Sequence, residues 1–190
     1  MNIGLFFGSF NPIHIGHLFI ANHMAQHADL DEVWFVVSPQ NPFKESKNLL
    51  GEYDRLHLVN LAIEDNFKLK ACNIEFSLPK PSYTIDTLVY LKEKYPKYKF
   101  ALVMGADNVS TLPKWKNAEM LMKEYDFYVY RRPGTDLEED ALPPNIKIQD
   151  TPQVLLSASF IREQIKNNFS VKYLVPERVE QYIENSGLYK

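Results

Sequence analysis

The chain has 190 residues, of which 45% are hydrophobic, and carries a formal net charge of −3. This length suits a single domain, or one domain with a small appendage, and the composition excludes a disordered or collagen-like chain. Because the charge is slightly negative, we expect no general binding of nucleic acids or anionic membranes, and an anionic ligand would need a local cluster of cations.

The single cysteine, Cys72, rules out a disulfide framework within one chain and favours a reducing compartment. No apolar run approaches the ~18 residues that a membrane span needs. The apolar N-terminal stretch lacks a basic start and is interrupted by Asn11, Pro12 and two histidines, so it is not a signal peptide. We therefore expect a cytoplasmic protein.

Apolar stretches rich in β-branched and aromatic residues alternate with segments of helical periodicity. They predict strands at residues 3–7, 33–37, 100–104 and 127–130, and a weaker strand at 68–76. Helices are predicted between them at 18–27, 53–63 and 84–94. This alternation predicts an α/β fold, with a doubly wound, Rossmann-like parallel sheet and helices on both faces.

The last third of the chain has a different pattern. Residues 131–145 are rich in proline and acidic residues, which predicts a surface loop, and 146–148 could add one edge strand. Two closing helices are predicted at 160–167 and 177–185, with Pro176 in the first turn of the second and Gly187 at its exit. We treat 1–190 as one domain with a small C-terminal helical part, about 157–190.

The first strand runs directly into residues 8–17, GSFNPIHIGH, ahead of a predicted helix. Ligands of doubly wound sheets bind beyond the carboxyl ends of the strands. Gly8 lets a ligand approach the backbone, the helix opening near Gly16 offers unpaired N–H groups, and His14 and His17 can face one ligand. A zinc site would need a third and a fourth ligand, and no cysteine or third histidine is placed to supply them. Each histidine alone could be a locally bonded helix-start residue, but the pair flanking a glycine favours a ligand site.

This segment resembles the G-x-F-x-P-x-H-x-G-H motif of the nucleotidyltransferase superfamily related to class I aminoacyl-tRNA synthetases. The resemblance implies that His14 and His17 contact ATP phosphates during nucleotidyl transfer. The ATP-binding residues that it implies in this segment are Gly8, Ser9, Phe10 and Gly16. Phe7 replaces a first glycine and Asn11 replaces an aspartate of many members, and neither change removes a phosphate-contacting group.

A second segment, LSASFIR at 156–162, leads into another predicted helix. Ser157 or Ser159 suits the N-cap, and Arg162 is a cation suited to polyphosphate, although the segment alone could be a capped helix with a surface arginine. It resembles the I-S-S-T-x-I-R element of adenylyltransferases, with Ala158 at the second hydroxyl position. The resemblance implies that Ser157, Ser159 and Phe160 bind ATP and that Arg162 is catalytic.

Further segments resemble nicotinate-mononucleotide adenylyltransferases over essentially the whole chain: 39–44, Arg55, 81–88, 105–107, 112–115 and 132–134. The resemblance implies a catalytic Lys44, although Phe43 stands where many members have histidine. It also implies a pyridine-nucleotide site at Asn41, Tyr83, Thr84, Trp115 and Arg132. Physically, Trp115 offers a ring for stacking, backbone N–H groups at 83 and 84 suit a carboxylate, and Asp107 suits ribose hydroxyls.

The implied reaction joins ATP and nicotinate mononucleotide to give nicotinate adenine dinucleotide and pyrophosphate. The attacking phosphate oxygen is already anionic, so the protein needs positioning and cations rather than a base. We expect Mg²⁺ to be held through ATP oxygens and water, with no protein metal site. Alternatives are an adenylyltransferase for nicotinamide mononucleotide or phosphopantetheine, and a non-catalytic nucleotide sensor. The oligomeric state, including a homo-oligomer, stays open.

Overall fold

A computed structural model describes residues 1–40, 49–135, 137–152 and 154–190. The strands of the central sheet are β1 Asn2–Gly8, β2 Glu32–Val37, β3 Leu69–Cys72, β4 Lys99–Gly105, β5 Asp126–Tyr130 and β6 Ile146–Gln149. Within these ranges the sheet has six strands in the order β3-β2-β1-β4-β5-β6, and every neighbouring pair is parallel. The predicted doubly wound α/β fold is confirmed, and the strand order reverses between β1 and β4.

Helices connect and cover the strands. They are α1 Ile15–His27, α2 Glu52–Ile63, α3 Thr84–Lys94, α4 Ala118–Glu124, α5 Ala158–Lys166 and α6 Glu177–Ser186. Short 3₁₀ helices span Ile74–Ser77, Ala106–Lys114 and Glu139–Ala141. None of the helices in the described ranges is both long and apolar enough to cross a membrane.

The sheet separates two apolar cores, because successive side chains of a strand point to opposite faces. In β2, Val33 and Phe35 pack into one core, whereas Trp34 and Val36 pack into the other. Residues of α1, α2, α5 and α6 fill the first core, and residues of α3 and α4 fill the second. The two C-terminal helices therefore pack on the same face as the helices that follow β1 and β2.

Several predicted boundaries are wrong. The strand expected at 68–76 ends at Cys72, because Glu75 turns inward to accept hydrogen bonds from the hydroxyls of Ser82 and Thr87, both at 2.8 Å. Helix α1 begins three residues earlier than expected, and Pro176 is the N-cap of α6 rather than part of its first turn. Gly187 ends α6 with φ 64°, as expected of a left-handed C-terminal residue.

Candidate active site

A cleft of about 1040 Å³ opens at the carboxyl edge of the sheet. Its walls come from the segments after β1, β4 and β5 and from the start of α5. Ten predicted site residues line it: Ser9, His14, Gly16, His17, Asp107, Arg132, Ser157, Ser159, Phe160 and Arg162. Residues separated by about 150 positions in sequence thus meet at the strand-order reversal, where doubly wound folds bind ligands.

The two histidines form the start of α1. His14 is the N-cap with an extended backbone, not a residue of the first helical turn as predicted. Its backbone N–H donates to Nδ1 of His17 at 3.3 Å, and the two rings stack with centroids 3.6 Å apart. A Cβ at Gly16 would come within 3.1 Å of the His14 ring, so glycine permits this close arrangement.

His14 has the electrostatic environment of a ligand site. The residue is only 4% exposed, and its Nδ1 is buried without a hydrogen-bond partner among the residues that the structure describes. Burial, assisted by the charge of Arg132, lowers the pKa of His14 from 6.5 to about 4. The imidazole is therefore neutral at pH 7, and a polar ligand in the cleft would supply a partner that the protein withholds.

Gly8 and Phe10 are not among the described residues that line the cleft. The Phe10 ring is 2% exposed and meets the His17 ring edge-on, with centroids 5.1 Å apart. A Cβ at Gly8 would come within 2.8 Å of the Phe10 ring, so this glycine provides room for the ring. Phe10 adopts φ 46°, a conformation that is disfavoured for a bulky residue. The predicted contacts of Gly8 and Phe10 with ATP stay predictions, and in this packing the Phe10 ring supports His17.

The start of α5 forms the opposite wall. The Ser157 hydroxyl caps the helix by accepting from the Phe160 N–H at 3.2 Å. Arg162 donates to the Asn11 carbonyl oxygen at 2.7 Å and to the Ser159 hydroxyl at 3.1 Å. No salt bridge within the described ranges joins Arg162 to a carboxylate. Its charge is therefore held in place but not neutralised.

Asp107 and Arg132 join the ends of β4 and β5. The Asp107 carboxylate accepts from Nη1 of Arg132 at 2.9 Å, and both side chains are nearly half exposed. A Cβ at Gly105 would collide with Asp107 and come within 2.9 Å of Cδ of Arg132, so glycine is needed for this pair. Because Arg132 is paired, Arg162 is the more available cation of the cleft.

Arg55 supports the site from the interior, and the sequence predicted no role for it. Its side chain is fully buried on α2. The guanidinium donates to four carbonyl oxygens, at 2.6–3.3 Å: those of Ser9, Ser38, Pro39 and Leu50. It thereby joins the segments after β1 and β2 to the entrance of α2. A cation on the otherwise apolar stripe formed by Leu58, Val59 and Ala62 was the signal that could have revealed it.

The residues expected to bind the pyridine nucleotide do not all line the same cleft. Tyr83 is the N-cap of α3 and Thr84 is its first residue, while Trp115 ends the 3₁₀ helix after β4. These segments lie together, because Lys116 places Nζ 4.9 Å from the Tyr83 ring centroid and pairs with Asp86 at 2.7 Å. Asn41 and Lys44 lie outside the described residues.

Comparisons with known proteins place this geometry in a family. The model of the cytidylyltransferase-like family matches residues 5–172. The chain belongs to the cytidylyltransferase-like family. The probable nicotinate-nucleotide adenylyltransferases of Flavobacterium psychrophilum and Cytophaga hutchinsonii are 52% and 50% identical to this chain. These alignments cover all of this chain and 100% and 98% of the two relatives.

A solved structure of another protein has the same fold. Nicotinic acid mononucleotide adenylyltransferase of Plasmodium falciparum, complexed with NaAD, has a TM-score of 0.84 at 23% identity, covering 99% of this chain and 97% of that one. The relatives confirm the sequence-based assignment to the nicotinate-nucleotide adenylyltransferases, and this structure confirms the fold. The roles of the individual site residues stay predictions.

Proposed function

We propose that the chain transfers the adenylyl group of ATP to nicotinate mononucleotide and releases pyrophosphate. The observation that carries the proposal is the convergence of two helix starts, α1 at His14 and α5 at Ser157, with the unneutralised Arg162 on one cleft. Helix N-termini and arginine both favour phosphate oxygens. The relatives named as probable nicotinate-nucleotide adenylyltransferases, which are identical to this chain at about half of all positions, support the same substrates.

In this reaction, a phosphate oxygen of the mononucleotide forms a bond to the α-phosphorus of ATP. The bond from that phosphorus to the oxygen bridging to the β-phosphate breaks, and its electron pair leaves with pyrophosphate. No proton has to be removed from the attacking phosphate, so the protein supplies position and charge. His14, His17 and Arg162 would hold the polyphosphate. Phe160 would present its half-exposed ring to the adenine base, and the Asp107 carboxylate would accept hydrogen bonds from the ribose hydroxyls.

The pyridine carboxylate would bind at the start of α3. The N–H groups of Tyr83 and Thr84 lie at this helix start, and the side chain of the N-cap residue makes no capping hydrogen bond to it. Asp86 in the first turn would repel a carboxylate, but Lys116 pairs with Asp86 and offsets that charge. Trp115, next to Lys116, would offer its ring to the pyridine.

A divalent cation would enter with ATP. Across the described ranges, no group of three or more His, Cys, Asp or Glu side chains is placed to hold a metal ion. Mg²⁺ would be carried by phosphate oxygens and water, where it would offset charge on the leaving group. The free Cys72 and the net charge of −3 support a cytoplasmic reaction without nucleic acid.

The test is pyrophosphate release from Mg-ATP, run in parallel with nicotinate mononucleotide, nicotinamide mononucleotide and phosphopantetheine. We expect a strong preference for the nicotinate compound. Equal use of both mononucleotides would contradict the carboxylate site at α3 but retain the chemistry. Release only with phosphopantetheine would contradict the substrate, and ATP binding without release in any arm would favour a nucleotide sensor.

A further inference from the structure

A hydrogen bond ties residue 189 to the loop after β1. The Tyr189 hydroxyl donates to Oδ1 of Asn11 at 2.9 Å across 178 residues of sequence. The Leu50 N–H donates to the same oxygen at 3.3 Å. Asn11 is 5% exposed, so two donors fix one buried amide oxygen.

Asn11 connects this hydrogen bond to the cation of the cleft. Its side-chain oxygen faces Tyr189, while its carbonyl oxygen accepts from Nη1 of Arg162 at 2.7 Å. Any displacement of Asn11 therefore moves the acceptor that orients the guanidinium. Arg162 has one other described hydrogen bond, to the Ser159 hydroxyl at 3.1 Å on its own helix. This bond alone does not position the guanidinium relative to the loop after β1.

The backbone is shaped to bring the Tyr189 hydroxyl to this point. Gly187 turns the chain out of α6 with φ 64°, and Tyr189 has φ 67°, which non-glycine residues rarely adopt. Burial raises the pKa of the Tyr189 hydroxyl, although the charges of Arg55 and Arg162 oppose this effect. The hydroxyl therefore keeps its proton at neutral pH and acts as the donor to Asn11.

We propose that Tyr189 is a positioning residue for adenylyl transfer, holding Arg162 against the polyphosphate through Asn11; this inference rests on the proposed function. Tyr189 need not touch a substrate for this role. With Tyr189 in place, the Arg162 guanidinium is fixed by both Asn11 and Ser159. Without the tyrosine hydroxyl, it is fixed firmly only by Ser159, on its own helix. Such preorganisation matters most where charge develops on the leaving pyrophosphate.

The first experiment compares Tyr189→Phe with Tyr182→Phe. Tyr182 lies on α6 and packs its ring against His57 at 4.5 Å, and its hydroxyl has no hydrogen-bond partner in the described part of the chain. We expect Tyr189→Phe to lower kcat/KM for ATP roughly three- to tenfold, as for one lost hydrogen bond at a transition state. The KM for nicotinate mononucleotide and the activity of Tyr182→Phe should stay at the wild-type values.

A double-mutant cycle with Arg162→Lys separates positioning from general stability. Lysine keeps the charge but loses the forked contact to Asn11 and Ser159, so removing the Tyr189 hydroxyl in this background should cause no further loss of kcat/KM. Losses that multiply would show that the hydroxyl acts independently of Arg162 and would overturn the proposal. So would wild-type kinetics in Tyr189→Phe.

The wild-type assay keeps the two claims separate. A wild type that does not release pyrophosphate contradicts the proposed function. In that case, calorimetric binding of Mg-ATP replaces turnover as the readout of the same cycle, with the same expected pattern. If the wild type is active and Tyr189→Phe has the same kcat/KM for ATP, only the positioning role is contradicted.

Discussion

Acidification from pH 7.5 to pH 5 is expected to destabilise the protein through His14. The buried imidazole has its pKa lowered from 6.5 to about 4, mainly because burial disfavours its charged form. Between these two pH values the unfolded chain binds a proton that the folded chain does not. The contribution of His14 to the free energy of unfolding is therefore fully present above about pH 6.5 and is lost as the pH falls toward 4.

The magnitude follows from the same pKa values. Each pH unit within this window removes about 1.4 kcal/mol of unfolding free energy. At pH 5 the loss amounts to about 2 kcal/mol, and it approaches about 3 kcal/mol near pH 4. Because His14 is only 4% exposed, solvent screening leaves most of this effect intact.

Urea unfolding of the wild type and of His14→Gln at both pH values provides the measurement. Other titrating groups are common to both proteins, so the wild type should lose about 2 kcal/mol more than the variant on going to pH 5. Equal losses in the two proteins would refute the assignment of the effect to His14. A bound polyphosphate favours charged His14, so Mg-ATP should offset part of the wild-type loss at pH 5.

Three further substitutions test the interior, the histidine pair and the rim. Arg55→Met leaves four carbonyl groups without their donor and should cost about 3–5 kcal/mol in urea unfolding. By contrast, the exposed Arg178→Met should stay within about 0.5 kcal/mol of wild type, and similar losses in both would contradict the supporting role. His17→Ala should lower kcat by on the order of 10² with its fold intact by circular dichroism, and near-normal turnover would remove His17 from the mechanism. Gly105→Ala should push Asp107 away from its arginine and raise the KM for ATP at least several-fold; an unchanged KM would show that this pair does not contact ATP.

The fold was predictable because its signals are local and repeated. Strands buried on both faces of a parallel sheet form continuous apolar runs, so residues 33–37 indicated β2 directly. The motif residues at 14 and 17 could be placed at the carboxyl edge of the sheet because they directly follow the first strand. Arg162 was assigned to the same site only through the resemblance of its segment to an element of adenylyltransferases. The short α4 and the 3₁₀ helix before it were missed, because seven residues of helix and a proline-containing turn give too little periodicity.

The supporting contacts could not be predicted in the same way. Asn11 and Tyr189 act through hydrogen bonds to partners 39 to 178 residues away, and such bonds leave no pattern of apolar spacing. Asn11 stood out only as a departure from the usual aspartate of related sequences. Its meaning depends on what faces its side chain, which only the three-dimensional arrangement reveals.

The separation between Asn11 and its partners has a consequence for biosynthesis. All six strands of the described sheet lie within residues 2–149, whereas Arg162 and Tyr189 follow later in the chain. On a translating ribosome, the sheet can therefore assemble while the cleft still lacks its arginine wall. We expect a released chain truncated after residue 156 to fold the core that α3 and α4 cover yet to bind ATP more weakly than the full chain, because it lacks Arg162 and the start of α5.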